Sequence, residues 1–147
     1  MSRACIVVIG LLLIGLASLL PGSIGWTQES PGTPVAVEGG GSYTDVTSSG
    51  LAAMLQAKDF PLINVHIPYE GELEGTDLFL PFNEIEANLH QLPADPGARI
   101  VLYCRSGSMS AIAARALVSR GYTDVWNLDG GMVGWEKSGY SLVHLGR

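Results

Sequence analysis

The chain has 147 residues, 47% of them hydrophobic and 15% charged, with a formal net charge of -6. That length suits a single domain that buries its own core without disulfide staples. The acidic balance argues against nucleic acid or anionic lipid as the main partner.

Arg3 precedes an unbroken apolar stretch over residues 4–20, which Pro21-Gly22-Ser23-Ile24-Gly25 ends with small residues. Residues 1–25 therefore read as a signal peptide or an N-terminal anchor. The stretch is slightly shorter than the roughly 20 residues a spanning helix wants, which favours a cut before Trp26. Either way the protein is expected to be exported: periplasmic, extracellular, or membrane-anchored and facing outside. Cys5 lies at the start of the apolar stretch, whereas a lipoprotein signal needs a cysteine at its end. Residues 26–42 carry Pro31, Pro34 and Gly39-Gly40-Gly41 with few large apolar side chains, and read as a flexible linker. Residues 43–147 read as one domain.

Within that domain, residues 42–46 predict a short strand, and Thr47 or Ser48 caps a helix through residue 57 with Leu51, Met54 and Leu55 on one face. Residues 60–65 predict a buried strand, with Pro61 tolerated only near its start. A polar loop over residues 66–77 leads to a short strand at 78–80, closed by Pro81. Ile85, Leu89 and Leu92 then share a helical face that must end before Pro93. Residues 100–103 predict a strand, 110–120 a helix stopped by Gly121, and 125–128 a strand. Asp129-Gly130-Gly131 turns into a last short helix bearing Met132 and Trp135. Short, nearly continuously apolar strands alternating with helices imply an α/β fold with a mostly parallel sheet covered on both faces. Sites in such sheets lie beyond the C-terminal ends of the strands.

Cys104 occupies such an end. Cys5 leaves with a signal or stays in the membrane, so Cys104 is the lone thiol of the exported domain. Exported thiols are usually paired, and a solitary one is either reactive or available for an intermolecular bridge. A strand that stops, turns through Gly107 and feeds a helix aims several backbone N–H groups at one point, and the helix dipole adds partial positive charge. Such a nest stabilises a thiolate, the nucleophilic form of sulfur. The thiol is expected to be open to solvent.

The run Ile100-Val101-Leu102-Tyr103-Cys104-Arg105-Ser106-Gly107-Ser108-Met109-Ser110-Ala111 is followed by Gly121-Tyr122, Val125, Asn127-Leu128 and Gly130-Gly131 with Trp135. This resembles the active loop, helix, strand and closing Gly-Gly-x-x-x-Trp turn of a rhodanese-like domain. Ile63-Asn64-Val65-His66 stands where that family usually has an Asp-Val-Arg element, and Leu80-Pro81 is similar to its later Ile-Pro. The resemblance implies a three-layer α/β/α fold with a central, mostly parallel sheet. It also implies sulfurtransfer, in which catalytic Cys104 takes a sulfane sulfur from a small donor, holds it as a persulfide and passes it to a thiol or other thiophilic acceptor. Arg105, Ser106, Gly107, Ser108 and Met109 are then the substrate-binding loop, whose N–H groups surround the terminal sulfur. No cofactor is implied.

Relatives often carry a basic residue at the sixth loop position, where this chain has Met109. Glu70, Glu72, Glu74 and Asp77 add negative charge in the 66–77 loop, and in extended chain the glutamates fall on one side. A persulfide or polysulfide donor is therefore expected in preference to thiosulfate. Asn64 and His66 replace an acid and a base, and Gly71-Glu72-Leu73-Glu74-Gly75 replaces the family's Gly-His-Ile-Pro-Gly. His66 follows a strand end on the active face and is a candidate modulator of Cys104. His66, His90 and His144 make no metal-ligand spacing, so no metal is expected. A cysteine phosphatase needs an arginine where this chain has Ser110. The alternative to catalysis is a non-catalytic or redox-sensing binding module of the same fold.

Overall fold

The computed structural model describes residues 31–145. The signal or anchor expected at residues 1–25 lies outside the described residues. Among the described residues, no helix is long and apolar enough to cross a membrane.

Six strands form one sheet: β1 (Gly32–Ala36), β2 (Ser42–Val46), β3 (Leu62–Asn64), β4 (Leu78–Phe79), β5 (Ile100–Tyr103) and β6 (Val125–Leu128), in the order β1-β2-β6-β5-β3-β4. Only the β1–β2 pair is antiparallel. Helices α1 (Ser48–Leu55), α2 (Ser108–Ser119) and α3 (Gly131–Lys137) and a 3-10 helix over Ile85–Gln91 cover the sheet.

The alternation of β5 side chains sorts the core into two layers. Ile100 and Leu102 pack with Ile63, Val65, Ala113, Leu117 and Ile85, on the side of α2 and the 3-10 helix. Val101 and Tyr103 pack with Leu51, Leu62, Leu128, Met132 and Trp135, on the side of α1 and α3. Because β5 is buried on both faces, all four of its positions are apolar or aromatic, which is why this strand reads so plainly. The N-terminus of α1 is capped as expected, Gly50 N–H donating to Thr47 Oγ1 at 3.1 Å.

Three elements depart from expectation. The linker does not remain flexible from Gly32 onward: β1 pairs with β2 over five residues, and Gly39-Gly40-Gly41 form the tight connection between them. Order there comes from backbone pairing, aided by Val37, which is buried against the α2 layer. The segment bearing Ile85 and Leu89 is a 3-10 helix, broken at Asn88, whose side chain donates to Glu84 O at 2.9 Å and competes with the regular backbone ladder. Helix α2 starts at Ser108, because Gly107 supplies the turn at φ +92.

The entry to α3 fixes the loop after β5. Met132 N–H donates to Cys104 O and Val133 N–H to Arg105 O, each at 2.9 Å. The first-turn amides of α3, which have no partner inside the helix, thus hold the backbone of the cysteine loop. The close approach requires Gly131, whose φ is +55 and where a Cβ would lie 2.6 Å from Arg105 C. Gly139 also has positive φ, +89, but a Cβ there meets nothing within 4 Å. We therefore expect Gly131→Ala to cost on the order of 3 kcal/mol or more, backbone displacement adding to conformational strain, and Gly139→Ala about 1 kcal/mol. Urea unfolding of the two variants checks this, and equal losses would contradict it.

Candidate active site

Cys104 follows the last residue of β5 and points into the layer beneath α2. Gly107 N–H donates to Cys104 Sγ at 3.1 Å, and Ser110 Oγ donates to the same sulfur at 3.3 Å. Ser110 Oγ also lies 3.2 Å from Gly107 O, so its single proton has two acceptors on offer. The sulfur thus sits at the N-terminus of a 12-residue helix, facing one main-chain amide and one hydroxyl.

This differs from expectation in two respects. Cys104 is only 1% exposed, not open to solvent. The reason lies in the packing around it: Cys104 belongs to the apolar layer beneath α2, with Ile63, Val65, Leu102 and Ala113, and Gly107 donates its N–H to the sulfur. At the sulfur a hydroxyl, that of the fully buried Ser110, also stands in for part of the expected ring of amides. Sequence reasoning passed over Ser110 as a helix-start residue. The signal available was its place one turn into the helix, where a short hydroxyl side chain reaches back to the preceding loop.

The remaining loop residues divide between rim and wall. Arg105, Ser106 and Ser108 are exposed, with Ser106 Oγ donating to Ser108 Oγ at 3.3 Å. Met109 is half-buried and packs against the α2-side core, so it belongs to the wall. At the rim, Arg105 is engaged by the 66–77 loop: its Nη1 donates to Glu70 Oε2 at 2.6 Å. His66 Nε2 lies 3.1 Å from the same oxygen. The β3–β5 register, pairing Asn64 with Tyr103 and continuing as Val65 N–H to Tyr103 O at 2.9 Å, is what brings His66 to the side of Arg105.

The loop carrying Glu70 is anchored along its length. Asn64, fully buried, donates from Nδ2 to Gly71 O and accepts from His66 N–H at Oδ1, both at 3.0 Å. An amide has both a donor and an acceptor for this task, which a carboxylate lacks. Tyr103 OH accepts from Leu73 N–H at 3.1 Å and lies 2.7 Å from Thr76 Oγ1. Burial pushes its phenol well above the ordinary range, so it stays protonated. Glu72 and Val143 exchange backbone hydrogen bonds at 2.8 Å. The glutamates do not share one side as an extended chain would place them: Gly71, between Glu70 and Glu72, turns the backbone at φ +113. Glu70 meets Arg105, Glu72 is buried, and Glu74 is exposed. Asp77 accepts from Lys58 Nζ at 2.6 Å.

Hydrogen bonding from Arg105 holds the Glu70 carboxyl below its ordinary value of 4.5; desolvation opposes this, while the Arg105 charge and His66 add to it. A carboxyl with a depressed folded value stabilises fully above its unfolded value, and that contribution disappears as pH falls through the folded one. Stability of the native protein should therefore decline more steeply below pH 4.5 than that of Glu70→Gln. Unfolding midpoints measured across the acid range check this, and parallel curves would contradict it.

The family model for the rhodanese-like domain matches residues 49–138. A sulfurtransferase of Allochromatium vinosum is 32% identical over 103 residues, covering 67% of this chain and 94% of that protein. The thiosulfate sulfurtransferase GlpE of Pseudomonas fluorescens is 44% identical over 45 residues, covering 31% of this chain and 41% of its own. In fold, a rhodanese-related protein from Thermoplasma volcanium superposes with a TM-score of 0.58 at 22% identity, over 67% of this chain and 96% of that one. With the family model spanning more than half the chain and the strand-loop-helix geometry of Cys104 in place, the chain belongs to the rhodanese-like domain family, as a rhodanese-type sulfurtransferase.

Proposed function

We propose that the chain moves a sulfane sulfur from a persulfide or polysulfide, rather than from thiosulfate, to a thiophilic acceptor through a persulfide on Cys104. The observation that carries this reading is the pair of donors, Gly107 N–H and Ser110 Oγ, converging on Sγ at the start of α2. In the first half-reaction the Cys104 thiolate attacks the outer sulfur of R–S–S⁻. A new S–S bond forms on Cys104, the old one breaks, and R–S⁻ leaves with the electron pair. In the second, an acceptor thiolate attacks that outer sulfur, takes it as R′–S–S⁻ and returns Cys104 to thiolate. Negative charge returns to the loop at each stage, where the N-terminus of α2 and fixed hydrogen-bond donors stabilise it.

Donor choice rests on charge. Arg105 is the sole cation among residues 104–109, and it is engaged by Glu70. Met109 contributes packing, and Ser106 and Ser108 are neutral. Thiosulfate, named for the Pseudomonas relative that matches 31% of this chain, is the competing donor. The apolar stretch at residues 4–20 supports action outside the cytoplasm, as an exported protein.

One observation favours a second reading, the non-catalytic or redox-sensing module: Cys104 is 1% exposed, which demands that a donor's outer sulfur pass the rim of Arg105, Ser106 and Ser108. Steady-state kinetics separate the two. Sulfurtransfer through a covalent intermediate predicts parallel double-reciprocal lines when donor and acceptor are varied. Cys104→Ser should lower turnover by roughly a thousandfold or more. Undiminished turnover in Cys104→Ser, or intersecting lines, would refute the persulfide route, and a folded wild-type protein with no turnover would leave the module.

A further inference from the structure

We propose that Glu70 is a specificity-determining residue, one that selects donors of low negative charge by neutralising Arg105 at the rim of the cysteine loop. This rests on the sulfurtransfer reading and assigns its donor preference to a single side chain. Within residues 104–109 the rim offers one positive charge to an incoming anion, Arg105, which is 56% exposed in its side chain. Glu70 Oε2 stands 2.6 Å from its Nη1, so the pair presents almost no net charge to a donor. An exposed pair of this kind adds little to stability; its effect here is on the field a ligand meets.

Glu70 is not a freely moving charge. Asn64 holds Gly71 O on one side of it, and Glu72 is bridged to Val143 beyond that. On the other side the ring of Tyr69 meets Phe79 edge-on, with centroids 5.6 Å apart, and its OH accepts from Leu145 N–H at 3.1 Å. His66 Nε2 lies on the same Oε2 that Arg105 uses, and the buried imidazole fixes the carboxylate's orientation. A thiosulfate dianion approaching this rim meets a fixed negative charge beside the cation that would otherwise bind it. An organic persulfide carries one negative charge at its reacting sulfur and forgoes only half as much attraction to Arg105 when Glu70 neutralises it.

The test compares thiosulfate with 2-hydroxyethyl persulfide as donors for the full chain, its Glu70→Gln variant and the Glu70→Gln/Arg105→Gln double variant. Removing one unit charge a few ångströms from the donor should raise kcat/KM for thiosulfate by about tenfold and for the persulfide by about threefold or less, at low ionic strength. Added salt should shrink the difference, and the double variant should lose the thiosulfate gain. Thermal unfolding of each variant confirms that the fold is kept. A donor ratio that stays at the wild-type value, or a thiosulfate gain that survives loss of Arg105, would overturn the role of Glu70 while leaving sulfurtransfer standing. Absence of turnover with both donors would overturn the sulfurtransfer reading and this assignment together.

Discussion

The grip of α3 on the backbone after β5 is the contact on which the site depends. Two carbonyls, of Cys104 and Arg105, accept the amides of Met132 and Val133, and Gly131 lets the two segments touch. With the loop's carbonyls turned toward α3, its Gly107 N–H faces the sulfur. The Gly-Gly turn, distant in sequence from the cysteine, thereby shapes the environment of the thiol without contacting it. The sulfur itself is enclosed by the layer beneath α2, so α3 orders the loop's backbone while the α2-side core buries the thiol.

A second layer of organisation concerns charge. In this chain the 66–77 loop is fastened to the sheet in its buried part by neutral groups, Asn64 and the hydroxyl of Tyr103, and at its end by Asp77, which accepts from Leu62 N–H. That leaves Glu70 to meet both Arg105 and His66 at the sheet's C-terminal edge. Buried neutral hydrogen bonds give the loop its position without the desolvation cost of an internal ion pair. Exposed charges set what the rim presents to solvent.

Much of the fold was legible because its strands are unusual in composition. The bounds of β5 follow from a short apolar run that burial on both faces leaves without polar interruption, whereas β6 carries the buried Asn127 and β2 is Ser-Tyr-Thr-Asp-Val with only Tyr43 and Val46 buried. β1 was not legible, since Pro34 and the flanking glycines read as a tether and its order comes from main-chain pairing with β2. The spacing of Ile85, Leu89 and Leu92 is that of an α-helix, and the 3-10 geometry broken at Asn88 was not legible in it. Cys104 and its loop were visible as a strand-turn-helix pattern, whereas the thiol's burial was not, because it depends on tertiary packing with residues distant in sequence, Ile63 and Val65 among them. The Arg105–Glu70 pair joins residues 35 apart in sequence, and only the adjacency of β3 and β5 brings them together.

The central claim is that the sulfur of Cys104, held by Gly107 and Ser110, accepts and returns one sulfur atom. Intact-mass spectrometry after brief exposure to a low-molecular-weight persulfide tests it most directly. The account predicts a mass gain of a single sulfur, mapped to Cys104, reversed when a thiol acceptor is added and absent in Cys104→Ser. An unchanged mass, or a stable mixed disulfide that no acceptor discharges, would contradict it.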